Sequence, residues 1–256
     1  FLHHAADEFF VEGGTVEVTR ALANQTEARV ETGASVTGVA PTDTGVAIQY
    51  EQNGTTYSVQ ARKCVMAVPA PLALSVLRDL PDAKRAALAQ CEYGAMSTAA
   101  FLVDKPSEYL FGKGNWRVPV VGMTTIGIGD PTFTFSEDMK LQDGRGLIRL
   151  YAGDYGSRML QQMSDDEALE VFENDLFHIF PAARGLVLDR SLKHWPYAIC
   201  PWRIGRLDAI DDIRAPHNNI HYCGDYTENS GLESAVLSAL RVVSELSNGQ
   251  QPTKHA

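Results

Sequence analysis

The stretch IHYCGDYTENSGLESAVLSALRVVSEL, Ile220 to Leu246, carries the reading that decides the fold. Its first four residues form an apolar strand, Gly224-Asp225 makes a turn, and a helix is predicted from Gly231 to about Ser247. Ser230 and Glu233 have the spacing of a capping box, and Leu232, Ala235, Val236, Ala239, Leu240, Val243 and Leu246 recur at helical intervals. The first turn of such a helix carries unpaired N–H groups and a partial positive charge. Placed at the carboxyl end of a strand, it can meet an electron-rich ligand, and Ser230, Gly231 and Ser234 are small enough to let that ligand close. The same features suit a capped strand–helix unit in any doubly wound sheet, so this stretch fixes a fold element before it fixes a function.

Working outward, Lys63–Val68 is continuously apolar after its first residue, the pattern of a central strand covered on both faces. Pro69 and Pro71 stop it, and short helices are predicted over Pro71–Leu77 and Pro81–Leu88. Upstream, Gly13-Gly14 precedes a helix over Thr15–Asn24, with Thr15 as N-cap and Val16, Val18, Ala21 and Leu22 on one face. Four β-rich runs follow, Ala28–Val30, Ser35–Ala40, Val46–Tyr50 and Thr56–Ala61, the last two joined by an Asn53-Gly54 hairpin turn. From Cys91 to Asn218 the texture changes to strands such as Ser97–Val103 and Leu147–Ala152, with Gly/Pro turns between them. One amphipathic helix, Ser164–Phe180, opens on a Ser164/Glu167 capping box and carries Ala168, Leu169, Phe172, Leu176, Phe177 and Ile179 as its stripe. The fold class is therefore α/β, part of a doubly wound domain, with an α+β domain inserted. The outer unit takes residues 10–80 and 219–250, and the inserted one takes 81–218.

The net charge of −10 over 256 residues, with no Lys/Arg cluster, excludes a nucleic-acid groove. No apolar run approaches the roughly 20 residues of a membrane-spanning helix. Cys64, Cys91, Cys200 and Cys223 are widely spaced, which is neither a zinc pattern nor a disulfide framework, so no metal site is expected and a reducing, cytoplasmic setting is. The opening FLHHAADEFF has no signal-peptide character and no initiating Met, and the chain is expected to begin mid-protein.

Glycine–aspartate, a short polar loop and the helix LESAVLSAL resemble the C-terminal FAD motif of the superfamily of flavin amine oxidases, protoporphyrinogen oxidases and phytoene desaturases. Three further segments resemble that superfamily in the same order: EGGTVEVTRALA (Glu12–Ala23), Ser35–Val39, and CVMAVPAPLALSVL (Cys64–Leu77). The resemblance implies a glutathione-reductase-like FAD-binding domain. Asp225, after Gly224, would reach the ribityl and diphosphate part of the cofactor, while the helix start at Gly231, Leu232 and Glu233 would set N–H groups on the flavin's pyrimidine oxygen. It further implies a Gly13-Gly14 turn, a backbone contact to adenine from Val36, and a cavity wall from Ala67, Val68 and Pro69. The superfamily's usual glycine after the serine is Ala239 here.

HWPYAICPW (His194–Trp202) resembles the superfamily's aromatic segment facing the flavin, so Trp195, Tyr197 and Trp202 are substrate-lining candidates, and core aromatics is the equal alternative. Many amine oxidases of the superfamily carry a lysine in the first strand of the substrate domain. YGAMSTAAFLVDKP puts Thr98 there, which favours a protoporphyrinogen-oxidase-like or desaturase-like branch. The fingerprint G-x-G-x-x-G is absent, so the diphosphate-binding strand and helix are expected from a preceding segment or a partner chain. The implied chemistry is hydride transfer from an apolar or aromatic small molecule to FAD, with no acid–base residue required and none assigned. His3, His4, His178, His194, His217, His221 and His255 are scattered, Asp165-Asp166 suit a helix dipole, and Asp211-Asp212 are expected in a loop. The alternative is a cofactor-free binding or regulatory subunit that retains the fold.

Overall fold

The computed structural model describes residues 11–132, 141 and 143–248. FLHHAADEFF with its two histidines, His255, and the ends of the expected outer unit at residues 10, 249 and 250 lie outside the described residues. The chain runs α1 (Val16–Gln25), β1 (Ser35–Thr42), β2 (Gly45–Gln52), β3 (Thr55–Ala61), β4 (Cys64–Met66), α2 (Ala70–Val76) and α3 (Asp82–Ala89). It continues through β5 (Gly94–Val103), α4 (Glu108–Phe111), β6 (Arg117–Pro119), β7 (Gly127–Gly129), β8 (Gly146–Gly153), α5 (Asp154–Leu160), α6 (Asp165–Ile179) and β9 (Val187–Ile199). It closes with α7 (Ile210–Arg214), β10 (Ile220–Tyr222) and α8 (Leu232–Asn248).

The decisive stretch folds as a strand, a turn and a helix. β10 lies parallel to β4, with Ile220 opposite Cys64 and Tyr222 opposite Met66, so residues more than 150 positions apart share one small sheet. Among the described residues β4 pairs with β10 alone and Val65 stays 43% exposed, so the double coverage expected of a central strand is not met there. β1, β2 and β3 form an antiparallel meander, turned at Asn53 and Gly54 with φ of 51° and 75°, the signs a tight hairpin requires. Ala28–Val30 is not a strand, because it has no pairing partner among the described residues and is exposed.

The third sheet runs β6-β7-β8-β5-β9 and is antiparallel throughout. In β5 the residues alternate, with Ala95, Ser97, Ala99, Phe101 and Val103 buried. That face packs with Leu160 of α5 and Leu169, Phe172 and Leu176 of α6, and each fully buried large side chain contributes about 2 kcal/mol. α6 begins as its sequence demands: Glu167 N–H donates to Ser164 Oγ at 3.3 Å, and Ser164 N–H donates to Glu167 Oε2 at 2.9 Å.

A separate core gathers Val39, Val46, Met66, Leu77, Leu88, Ile213, Ile220, Tyr222 and Tyr226 around the small sheet. Cys91, Tyr93, Cys200 and Ala209 pack into it as well, although their positions fall within 81–218.

Three local expectations are corrected. Thr15 makes no side-chain cap, since its backbone is already helical, and no residue of α1 is buried. Asp211 and Asp212 stand in the first turn of α7 rather than in a loop, where the helix dipole favours them. Ser230 does not cap α8: Gly231, at φ 139°, precedes the first helical residue, and the Ser230 hydroxyl donates to the Cys200 carbonyl at 2.6 Å. α8 also turns the other way from its periodicity. Ser234, Ser238 and Val242 face inward, while Leu232, Val236, Leu240 and Val243 are exposed. Among the described residues no helix is long and apolar enough to cross a membrane.

Candidate cofactor site

The end of β4, the turn after β10, the start of α8 and the end of β9 converge on a cleft of about 580 Å³. Ala67, Val68 and Pro69 form one wall, Tyr93 and Tyr197 to Ile199 a second, and Gly224 to Tyr226 with Ser230 to Leu232 a third. Gly224 has φ 137°, and a Cβ there would stand 2.9 Å from the Tyr226 ring, so only glycine serves. Gly231 has a similar φ of 139°, yet a Cβ there would meet nothing within 4 Å, which leaves the helix start open to a ligand.

Asp225 is held in place. The Tyr93 hydroxyl donates to its Oδ1 at 2.9 Å, and burial, then the adjacent carboxylate, push the phenol well above its ordinary pKa, keeping it a donor. Three arginines brace the turn and the end of β10. Arg206, 1% exposed, donates to the Tyr226 carbonyl and, at 3.0 Å each, to those of Cys200 and Pro201. Arg214 Nε donates to the Thr227 carbonyl at 2.7 Å, and Arg241 donates to the Tyr222 carbonyl at 2.8 Å and to Thr227 Oγ1 at 3.2 Å. Glu228 ties Arg214 to Arg241. With the carbonyls of Gly224, Asp225, Tyr226 and Thr227 engaged inward, the turn presents Asp225 and the α8 amides to the cleft. Sequence reasoning missed Tyr93 and these arginines, since nothing in their spacing relates them to residues 224–231.

A second groove of about 570 Å³ holds Val36, Val39, Ile48, Cys64 and Leu72, and it shares Ala67 and Val68 with the cleft. The two cavities meet at Ala67 and Val68, after the end of β4, with Val36 lining one and Asp225 the other. Gly13 and Gly14, at φ 81° and 91°, make the turn before α1 and line neither cavity, and Glu233 is exposed beside Leu232.

The aromatic candidates part company. Tyr197 lines the cleft, with its ring edge-on to Tyr93 at 5.9 Å. Trp195 is on the open sheet face opposite Met96, and Thr98 shares that face opposite Tyr151 and Lys193. Trp202 lies outside the cleft lining, donating to Asn229 Oδ1 at 2.9 Å beneath the Arg206 guanidinium. On the helix-covered face, Ser97 Oγ meets His194 Nδ1 and Ser157 Oγ at 2.7 Å each, and His194 Nε2 is 4.0 Å from Asp165. This grouping escaped sequence reasoning because Ser97, Ser157 and His194 lie far apart in the chain and only the fold joins them; Ser97 and Ser157 are fully buried, so no substrate reaches them. Among the described residues no cluster of three His, Cys, Asp or Glu side chains is gathered to hold a metal.

Two adjoining cavities with a carboxylate for hydroxyl groups, an open helix start and small residues at the approach fit an extended dinucleotide with a planar head. The family described as flavin containing amine oxidoreductase matches residues 1–247. The chain belongs to that family. Among curated relatives, chloroplastic protoporphyrinogen oxidase 1 of Spinacia oleracea is 28% identical over 240 residues, covering 86% of this chain and 42% of that protein. The chloroplastic protoporphyrinogen oxidase of Oryza sativa subsp. japonica is 25% identical over 254 residues, 92% of this chain and 46% of its own length. Among solved structures, a wild-type putrescine oxidase bound to putrescine superposes with a TM-score of 0.72 at 17% identity, over 92% of this chain and 53% of that one. A triple mutant of putrescine oxidase with redesigned cofactor binding gives 0.74 at 18% identity. The chain thus spans less than half the length of these plant relatives and about half that of the solved putrescine oxidases.

Proposed function

We propose that this chain is the C-terminal part of an FAD-dependent oxidoreductase that removes hydride from a substrate C–H bond. The observation that carries the reading is the Asp225 carboxylate, fixed by Tyr93 beside the open start of α8, on one cleft with Ala67 to Pro69. FAD bound there supplies the hydride acceptor. The chain's own residues would orient and shield it: Asp225 would accept hydrogen bonds from cofactor hydroxyls, the amides at Leu232 and Glu233 would serve the electron-rich ring, and Val36 would hold the adenine end. Gly13 and Gly14 shape the turn before α1. Tyr197 and Trp195 bound the substrate side, with Thr98 beyond them, and no side chain of the cleft is placed as a general base.

In this reading the five-stranded sheet with α5 and α6 is a substrate domain inserted into a discontinuous flavin-binding half-domain, and the diphosphate-binding strand and helix come from a preceding segment or a partner chain. Two features support such a covering element. The apolar residues Leu232, Val236, Leu240 and Val243 of α8 are exposed, and β4 pairs on one edge alone among the described residues. The test is the absorbance spectrum of the natively purified protein together with the intact mass of every chain present. Flavin bands near about 375 and 450 nm, with a sequence containing G-x-G-x-x-G, are expected. A natively complete, colourless protein that gains no bands with added FAD would overturn the reading in favour of a cofactor-free subunit.

A further inference from the structure

One face of the five-stranded sheet is covered by α5 and α6; the other is open among the described residues, and its pairing register fixes what stands there. One row across it reads Arg117, Gly129, Arg149, Ala100 and Ser191, and the next reads Gly127, Tyr151, Thr98 and Lys193. Paired residues point to the same side of a sheet, so Arg117, Arg149 and Lys193 share the open face. The glycines and Ala100 keep its floor low, and beside Arg117 a cleft of about 350 Å³ opens between Trp116, Met96 and Tyr151.

None of the three cations is neutralised. Lys193 Nζ sits 5.3 Å from the centre of the Trp195 ring, Arg149 Nη1 reaches the Tyr151 hydroxyl at 3.4 Å, and among the described residues none of the three has a carboxylate partner. Asp130, the carboxylate lining the cleft, has its oxygens on Ser107 and Thr132. The chain carries a net charge of −10, yet among the described residues no carboxylate pairs with these cations. Lys193 lies two residues from Trp195 along β9, about 7 Å further from the cofactor cleft, and Arg149 lies one row beyond.

We propose that Arg149 and Lys193, flanked by Arg117, form a subsite for a carboxylate on the substrate at the end remote from the reacting carbon. The substrate class is then aromatic acids, stacked on Trp195 and Tyr151, rather than amines. A half-buried arginine offers a planar fork to a carboxylate, and the lysine adds charge that repels ammonium groups. The proposal rests on the flavin reading for which end reacts, though the subsite itself does not depend on the cofactor.

Two probes of one skeleton, 2-naphthylacetate and 2-naphthylmethylamine, are titrated calorimetrically into the intact protein at low and high salt. The acid is expected to bind at least about tenfold more tightly, with a preference that shrinks as salt rises. Arg149→Met with Lys193→Met should abolish that preference while flavin content per mole stays unchanged. The single Lys193→Gln, at an exposed position, should reduce it even if the double variant fails to fold. An amine that binds as tightly as the acid, or variants that keep the acid's affinity, overturn the proposal. A protein that takes up no FAD yet binds the acid through these residues sinks the flavin reading and leaves the subsite standing; a flavin-loaded protein indifferent to the acid does the reverse.

Discussion

The Tyr93 hydroxyl donates to Asp225 Oδ1 at 2.9 Å, joining the segment before β5 to the turn after β10 across more than 130 residues. A hydrogen bond to a charged acceptor is worth about 1.5–3 kcal/mol when shielded. Tyr93→Phe removes only this donor and should weaken FAD binding by about tenfold with little loss of stability. Calorimetric titration of the flavin-free protein with FAD reads the change; an unaltered Kd would show that Asp225 needs no fixing.

The two turn glycines separate strain from collision. Gly224→Ala meets both a φ of 137° and the Tyr226 ring at 2.9 Å, whereas Gly231→Ala meets the backbone cost alone, at φ 139°. An unfavourable φ costs on the order of 1–3 kcal/mol, and displacing a fully buried tyrosine adds comparable strain. In urea unfolding Gly224→Ala should be the more destabilised by at least about 1 kcal/mol, and equal losses would refute the steric account.

Arg206 is a buried cation whose donors serve the carbonyls of Cys200, Pro201 and Tyr226. Arg206→Met strands the buried Tyr226 carbonyl, removes the guanidinium from that of Pro201 and leaves that of Cys200 to Ser230 alone, and should cost about 3 kcal/mol or more. Arg206→Lys should recover only part, because one ammonium cannot match the fork of the guanidinium. Full recovery by lysine, read as the midpoint of urea unfolding, would contradict this.

Most elements were legible because local rules and tertiary packing agreed. Ser164 and Glu167 cap α6 as written, Asn53-Gly54 turns the hairpin, and Gly224-Asp225 closes β10. The errors came where a long-range partner decides. The apolar residues that recur along α8 marked a helix, but the face that packs carries Ser234 and Ser238, with Gly224 N–H on Ser238 Oγ at 2.8 Å. Periodicity reports that a helix has two faces, not which of them this stretch of chain covers. Likewise Ser230 had the spacing of a cap, but its hydroxyl was claimed by Cys200, which only the fold brings near. Tyr93, Arg206, Arg214 and Arg241 carry no motif at all, and tertiary geometry alone reveals their common task.

The Ser97–His194 contact looks like part of a hydrolytic relay, but Ser97 is fully buried beneath α5 and its hydroxyl also bonds Ser157. Ser97→Ala should therefore cost about 1–2 kcal/mol of stability and leave the flavin spectrum and turnover unchanged. A fall in turnover at constant flavin content would give this cluster a role in the chemistry that the geometry denies it.

Lys84 extends its ammonium to the carbonyls of Asp212, Ile213 and Ala215 at 2.7 to 2.8 Å, closing the end of α7, over the ring of Tyr222. Burial lowers its pKa from an ordinary 10.5 to about 8. Below pH 8 the folded and unfolded chains both carry the proton, and the fold bears the full cost of burying it. Between 8 and 10.5 the unfolded chain holds more protons than the folded one, so stability from this group rises with pH, by up to about 1.4 kcal/mol per unit. Lys84→Met has no such group, and it loses the three carbonyl bonds. The difference in unfolding free energy between wild type and Lys84→Met, measured in urea, should therefore widen in favour of wild type from pH 8 toward 10. Parallel stability curves across that range would mean that the three carbonyls hold the ammonium charged despite its burial.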